Sequence, residues 1–505
     1  MAETILIKGG RVYDHDADTD RPARADILIE GDRIAGIAPE ISAERAGRVI
    51  DGADRLILPG FVNAHYHSHD TMLKGMLNPL PFDMWLLNCL PPAYPPRSAA
   101  ELRARTMLGA AECLKSGITT LQDMVTLHPI SEENVDTVLA AYEEIGIRTV
   151  LSLQIGDRFG IELTPFWRDC VPEHLHGSLG SAVEEGAGAG PFEQAVAQYR
   201  RIGQDQQRLT WALGPSTPLL CTPDLLRRVA ALAESDGLPV ITHVNEARTE
   251  ALSAKTILAE HGGSQVGYLR DMGLLGPGTG MAHTVWLTEA EIDMVTEAGA
   301  TVILNPASNM KTLSGAAPVP LYLAAGTKVA LGCDNCSCSD IQNTFLAMRL
   351  VCSLAGLHDP QRSAIPPGAQ VIRWATEGGA GALGLAGEVG ALKPGMKADM
   401  TLLDLGRPSY LPFNSAARQT VFSEAGAAVH TVFVDGRVVL EDGHLTMTDE
   451  DALRSAVEEA AVDLRRDFAA VNARFEEVYD YLQEAWLRSW QEDIGIARTI
   501  APPRF

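Results

Sequence analysis

Cysteine is scarce, eight residues in 505. That density is too low for a disulfide scaffold, so the thiols are expected to be reduced. No run of 18 apolar residues occurs, and MAETILIKGG lacks the basic segment and apolar core of an export signal. A cytoplasmic chain without a membrane span is the expectation. Basic charge is also in deficit: 41 Lys+Arg face 65 Asp+Glu, a net charge of −24. Such a surface repels phosphate backbones and anionic headgroups, which argues against nucleic acid and membrane as partners and leaves a small-molecule substrate open. Internal repeats are missing. The one low-complexity patch, EEGAGAG (184–190), sits in the long 154–208 connection, to which no role is assigned.

What is present is length and alternation. A chain of 505 residues, 46% of them hydrophobic, has room for one large domain and a smaller one. Short β-rich runs alternate with helical patterns, as parallel strands with crossover helices do. Eight runs qualify: LILPGFVNAH (56–65), GITTLQDM (117–124), IRTVLSL (147–153), LTWALGP (209–215), LPVITHV (238–244), GMAHTVWL (280–287), ATVILNP (300–306) and TKVALGCD (327–334). Eight is the number that closes a (β/α)8 TIM-type barrel, an α/β fold. Ser98 with Glu101 and Thr288 with Glu291 read as capping boxes, Thr222-Pro223 as a helix start, and Gly117 and Gly299 as helix stops.

Both ends fall outside that alternation. ETILIKGGRVYD, ADILIEGDRIAGI, ADMTLLDL and HTVFVDGRVVLEDG alternate apolar and polar residues around glycine-containing turns. They are expected to form one small β-sandwich domain from residues 1–58 and 385–447, flanking a catalytic barrel at 59–384. Residues 448–505 form a helical extension whose apolar stripe, Leu464, Phe468, Val471, Phe475 and Tyr479, must be covered by the barrel or by a second subunit.

Chemistry in such a barrel sits at the C-terminal ends of the strands. NAHYHSHD (63–70) places His65 and His67 on one face of an extended strand, with Cα atoms about 6.5–7 Å apart. A lone H-x-H pair is more often ordinary than ligating. Here, however, the fifth strand ends in His243, the sixth carries His283 and the eighth ends in Asp334. Four separate strands ending in metal-compatible groups point to a metal centre.

These residues carry a resemblance. PGFVNAHYH, HVNEA, AHTVWL, NPASNMKTLSG and LGCDN, in that order and followed by GALKPGMKADMTLLD, resemble the amidohydrolase superfamily in its cytosine deaminase and chlorohydrolase-like (aminohydrolase) branch, to about residue 447. The resemblance implies one divalent metal ion, Zn(II) before Fe(II), on His65, His67, His243 and Asp334. It also implies Glu246 and His283 as proton-handling groups, and a homo-oligomer.

The chemistry agrees: a bound divalent ion lowers the pKa of its water toward about 7 and makes hydroxide available. Attack on an amidine-like carbon, C(=N)–NH2, of an amino-substituted N-heterocycle would then release ammonia. Asp334 accepts the proton, His283 orients the water, and Glu246 protonates the ring nitrogen and the leaving amine. A second metal would need a bridging group such as a modified lysine, and LTWALGP has none. The alternatives are hydrolysis of another C–X bond, such as an azine halide, carbamate or urea-like amide, and a non-catalytic scaffold, which should have lost its ligands.

Candidate substrate contacts are Trp85, in the lid-like MLKGMLNPLPFDMWLLNCLPPAYPP (72–96), His69, which continues the 65/67 alternation, Ser216 and Asn309. Tyr66, Asp70 and Asp83 are further residues near the mouth. Ser216 stands in GPSTPLLCT where nucleoside-type deaminases often show a histidine. Cys333, Cys336 and Cys338, around Asp334, read as small packing residues, because a thiolate site there would compete for the same ion.

Overall fold

Gly60 divides what reads as one strand into two with different destinations. A side chain at this position would sit 2.0 Å from the Thr119 hydroxyl, so only glycine permits the approach. Residues before it form β5 (Arg55–Pro59) in a sheet with the chain termini, and residues after it form β6 (Phe61–Tyr66), the first parallel strand. The expected strand 56–65 is corrected accordingly. The structure is a computed structural model that describes residues 4–158, 160–180, 190–204 and 206–503. Of EEGAGAG only Gly190 lies within the described residues, opening the helix Gly190–Ile202.

The N-terminal strands are β1 (Thr4–Val12), β2 (Arg24–Glu30), β3 (Arg33–Ala38) and β4 (Arg48–Asp51), followed by β5. After β6 come β7 (Ile118–Val125), β8 (Arg148–Ile155), β9 (Leu209–Trp211), β10 (Gly214–Pro215), β11 (Val240–Val244), β12 (Thr279–His283), β13 (Thr301–Leu304) and β14 (Lys328–Leu331). The chain ends with β15 (Met400–Asp404), β16 (Val429–Val434), β17 (Arg437–Glu441) and β18 (His444–Leu445).

Among the described residues, β6 to β10 make one parallel sheet and β11 to β14 another. Backbone bonds run between them on both sides. Leu213 bridges Val240 in parallel, and the amides of Cys333 and Asp334 donate to the His65 carbonyl at 3.2 and 2.9 Å. Gly332 makes the second approach possible, since a Cβ there would lie 2.8 Å from that of His65. β7 is buried along its whole length, as a strand covered on both faces must be. Val62, Ala64, Met124, Val150, Ala212, Ile241, Ile303 and Ala330 fill the space between the strands.

Several expected strands are shorter than read. LTWALGP is broken at Ala212–Leu213 into β9 and β10, and GMAHTVWL stops at His283, where φ turns to +71°. LPVITHV and ATVILNP shrink to β11 and β13. TKVALGCD shrinks to β14, which ends at Leu331, so Asp334 stands three residues past the strand and not at its end. Thr288 and Glu291 form the full capping box. Ser98 accepts from the Glu101 amide, but the Glu101 carboxylate is taken by Arg97, so that box is half made.

Both chain ends supply one mixed sheet in the order β18-β17-β16-β15-β5-β1-β2-β3, with β4 on β1. Arg148, at the start of β8, locks that sheet to the parallel strands. Its guanidinium grips Asp399 through two bonds of 2.7 and 3.1 Å and Asp435 through one of 3.0 Å, all three side chains being buried.

The 40-residue helix Glu450–Ser489 starts on Asp449, whose carboxylate caps the amides of Asp451 and Ala452. Its apolar stripe is covered within the chain. Leu464, Val471, Phe475 and Val478 pack with Met84, Trp85 and Leu87 of the helix Phe82–Cys89 and with Ile161, Trp167 and Val171 from the 154–208 connection. Among the described residues no helix is long and apolar enough to cross a membrane.

Arg148→Met would leave the buried Asp399 without its ion pair, while Asp435 keeps Lys397 at 3.4 Å, so a loss of about 3 kcal/mol is expected. Urea unfolding of parent and variant measures it, and a difference under 1 kcal/mol would remove the locking role.

Candidate metal centre and active site

Three imidazoles converge at the C-terminal ends of β6 and β11. The Nε2 atoms of His65 and His67 lie 3.2 Å apart, and those of His67 and His243 are also 3.2 Å apart. Asp334, just beyond β14, brings Oδ1 to 3.4 Å from Nε2 of both His65 and His67. The rear nitrogens set the tautomers: Nδ1–H of His67 donates to the Met124 carbonyl at 2.6 Å, and Nδ1–H of His243 to the Ser216 carbonyl at 2.5 Å. Their Nε2 lone pairs therefore face one another, and Asp334 Oδ1 has no hydrogen-bond donor. Facing acceptors in a buried space repel unless a cation lies between them. A tetrahedron of ligands about 2.05 Å from an ion has edges of about 3.3 Å. The donor set therefore fits a divalent metal: His65, His67 and His243 form one group of converging ligand atoms, and His65, His283 and Asp334 a second that shares His65.

Burial holds the imidazoles of His67 and His243 neutral, as ligands must be. For His67 the value falls to about 3, with His65 adding to the effect and Asp334 opposing it. For His243 burial, reinforced by His65 and His67, acts in the same direction. Burial alone would raise the Asp334 carboxyl, but His283 and His65 outweigh it and hold it well below the usual range.

Glu246 and His283 sit on adjoining loops. Glu246 Oε2 lies 3.3 Å from His283 Nε2, which lies 3.7 Å from Asp334 Oδ2. The Nδ1–H of His283 donates to Asn309 Oδ1 at 2.8 Å, leaving the Nε2 lone pair toward Glu246. Burial pushes the Glu246 carboxyl well above the ordinary range, and the charges of Asp334, Glu250 and Asp83 push it further, so Glu246 keeps its proton. Burial lowers His283 to about 4. The two loops are stitched by Thr284 N–H to Val244 O at 3.0 Å and by a mutual pair between Asn245 and Trp286. Asn245, His283, Thr284 and Asp334 all have positive φ, a backbone region costly for these residues and concentrated at the strand ends.

A cleft of about 490 Å³, counting the solvent at its mouth, opens over this cluster. Phe82, Trp85, Leu86 and Leu90 form one wall, with Leu163 and Leu220 opposite. Trp85 stacks on Phe82 with ring centroids 5.9 Å apart and ties its indole N–H to Ser337 Oγ at 2.9 Å. His69 lines the cavity from the 3-10 turn Ser68–Leu73, not from a continuation of the strand. Ser216 lines it too. Asn309 does not; it touches His283 from behind, so as a substrate contact it is replaced here by a support of that imidazole. Tyr66 is turned away onto Thr71, and Asp70 is spent on the amides of Cys336 and Ser337. The three cysteines are buried free thiols.

Sequence reading missed Gln154, Glu250 and Asn335. Gln154 lies one residue beyond the expected end of its strand, which runs to Ile155, so the strand-end rule would have found it with the right boundary. It completes a polar arc: Thr126 N–H to His69 Nδ1 at 3.2 Å, Thr126 Oγ1–H to Gln154 Oε1 at 2.8 Å, and Gln154 Nε2–H to Ser216 Oγ at 2.7 Å. Glu250, four residues past Glu246, accepts from the amides of Glu246 at 2.8 Å and Ala247 at 3.1 Å and so fixes the loop that carries Glu246.

Residues 56–439 match the Amidohydrolase family. The chain belongs to the amidohydrolase family. It is 33% identical over 462 residues, 92% of this chain and 99% of the other, to a protein named 5'-deoxyadenosine deaminase from Methanothermobacter thermautotrophicus. A 5-methylthioadenosine/S-adenosylhomocysteine deaminase of Thermococcus kodakarensis is 32% identical over 441 residues, 86% of this chain and 94% of the other. The crystal structure of an adenosine deaminase from Xanthomonas campestris with bound zinc superimposes with a TM-score of 0.79, covering 92% of this amidohydrolase and 98% of that chain at 24% identity. That likeness carries a TIM-barrel-like α/β fold, and the relatives' names agree with the aminohydrolase expectation.

Asp83, in the cavity-lining helix, is buried, which raises its carboxyl to about 6 against the bonds from Thr249 and Thr164. A raised carboxyl contributes stability below the unfolded value near 4, and that contribution is lost as pH rises through about 6. Asp83→Asn is therefore expected to melt above the parent at pH 8, by on the order of 2–3 kcal/mol, with the gap closing at pH 4. Superimposable melting curves at both pH values would contradict this.

Proposed function

We propose that this amidohydrolase removes the 6-amino group of an adenosine-type nucleoside whose 5' carbon bears no charged phosphate. The observation that carries the reading is the buried Glu246 carboxyl, 3.3 Å from His283 at the floor of an aromatic-walled cavity and beside the histidine–aspartate cluster. Family membership and the deaminase-named relatives support the reaction class. Among the described residues lining the cavity none is Lys or Arg, and a phosphate would find no counter-charge there. Phe82 and Trp85 offer flat apolar faces for a purine, and the polar arc of His69, Gln154 and Ser216 offers hydrogen bonds to ring and ribose edges.

His65, His67, His243 and Asp334 would hold the metal, for which we propose zinc, with Fe(II) as the alternative for the same nitrogen and oxygen ligands. Its chemistry, when bound, is to lower the pKa of water toward about 7. The chain's own groups do the rest. Asp334 Oδ2 takes the proton of the attacking water. His283, its tautomer set by Asn309, orients that water through Nε2. Glu246 Oε2 gives its proton to the ring nitrogen beside the attacked carbon and relays the next to the leaving amine. The amidine C(=N)–NH2 plus water becomes C(=O)–NH plus ammonia.

We further infer that the two parallel sheets close into one eight-stranded barrel within 59–384, β9 and β10 being the two halves of one broken strand. In this reading residues 1–58 and 385–447 fold as a β-sandwich, and 448–505 form the extension. Supporting this, Ile5, Ile27, Ile57, Met400 and Phe433 from both chain ends share one core.

The purified protein is expected to hold close to one equivalent of transition metal by elemental analysis, most of it lost in His65→Ala. Full metal in that variant would remove the ligand assignment. Ammonia release is expected from 5'-deoxyadenosine and 5'-methylthioadenosine but not from adenosine 5'-phosphate. Glu246→Gln should lower kcat by about 10²–10⁴ with metal content unchanged. Equal turnover of the 5'-phosphate would overturn the substrate reading, and a Glu246→Gln rate within a few-fold of the parent would overturn the proton route.

A further inference from the structure

The turn that carries His283 is held by a residue from the far end of the chain. β12 ends with two consecutive non-glycine residues of positive φ, His283 at +71° and Thr284 at +49°. For a β-branched threonine this conformation is costly, and it persists only where surrounding contacts over-determine it. Here four consecutive carbonyls are each satisfied by a side chain. Thr284 O accepts from the Tyr322 hydroxyl, Val285 O from Arg498 Nε at 2.9 Å, Trp286 O from Asn245 Nδ2 at 3.2 Å, and Leu287 O from Arg498 Nη2 at 2.5 Å.

We infer that Arg498 is a positioning residue for His283: its planar fork spans two carbonyls of the strained turn and fixes the direction of the imidazole toward Glu246 and Asp334. The inference rests on the proton-handling role proposed for His283. Arg498 is only 8% exposed, and among the described residues no carboxylate forms an ion pair with it. Its direct partners are backbone carbonyls, with the charges of Glu289 and Glu291 acting on it from beyond ion-pair distance, so its fork serves to hold a backbone.

The segment leading to it is fastened at each step. Arg248, two residues past Glu246, donates to the carbonyls of Ser489 and Glu492, and Trp490 meets Trp286 edge-on at 6.0 Å. The amide of Ala316 donates to the Arg498 carbonyl at 2.9 Å, next to Ser314, whose carbonyl takes the Trp286 indole N–H at 2.6 Å. The tail thus runs from the loop of Glu246, past the loop of His283, to the segment following Asn309. It lies outside the 56–439 match to the family.

The test uses the full-length, metal-loaded enzyme. Arg498→Met is expected to lower kcat at least tenfold while KM stays within twofold and metal content is unchanged. Hydrogen exchange should accelerate in 284–288 and not in 240–244. In Arg498→Ala, millimolar guanidinium should restore part of the lost rate. A kcat within twofold of the parent, or a loss that comes with metal release or a general rise in exchange, overturns the inference. If Arg498→Met does not accumulate folded, Arg498→Lys carries the same readouts, since one ammonium on a flexible stem does not span two carbonyls as the fork does. His283→Ala separates the two readings. If it retains full turnover, the role proposed for His283 fails, while exchange in 284–288 still reports whether Arg498 holds the turn.

Discussion

Lone pairs on neighbouring imidazoles repel, and this protein aims those of His67 and His243 at one another in a buried cluster that also holds Nε2 of His65. The arrangement is enforced from behind, by the Met124 carbonyl at the end of β7 and the Ser216 carbonyl just past β10, each of which takes an Nδ1 proton. The strands are parallel and end on the same side, so both carbonyls lie at one C-terminal edge, where that of Ser216 also accepts the His243 amide at 2.9 Å. The centre's affinity for a cation and the topology of the sheets are therefore one constraint viewed at two scales.

The same edge stores strain. Asn245, His283, Thr284 and Asp334 occupy backbone conformations they would not adopt alone, and each lies in or next to a candidate catalytic group. What holds them is a lattice of side-chain to backbone bonds that reaches outward from the strand ends: Glu250 under Glu246, Asn309 behind His283, Asn245 between the two loops. The lid belongs to this lattice as well. Asp83 joins the helix Phe82–Cys89 to Thr249, three residues past Glu246, and Trp85 joins it to Ser337, three past Asp334. The long C-terminal helix lies over that lid and buries its apolar stripe there. The wall of the cavity and the loops that carry Glu246 and Asp334 are thus joined through elements far apart in the chain.

The order PGFVNAHYH, HVNEA, AHTVWL, LGCDN was legible because a strand end is a local event: a β-rich run, then a ligand-type residue. The alternation of parallel strands and helices was legible for the same reason, through hydrophobic period and caps such as Thr288 with Glu291. By itself the sequence thus determined which residues stand at the strand ends and that their chemistry suits a metal and proton transfer. Three matters were decided only by tertiary structure. Gly60 turns one apparent strand into two because Thr119, not adjacent in sequence, leaves no room for a side chain. Gln154 enters the cavity, and Asn309 stays behind His283, according to where strands stop and loops turn. Arg498 reaches the turn of His283 because backbone carbonyls, which every residue type supplies, are its partners. Side-chain patterns record periodicity and capping, but a bond to a carbonyl leaves no mark on the identity of the residue that accepts it. Contacts of that kind come into existence only when the chain folds.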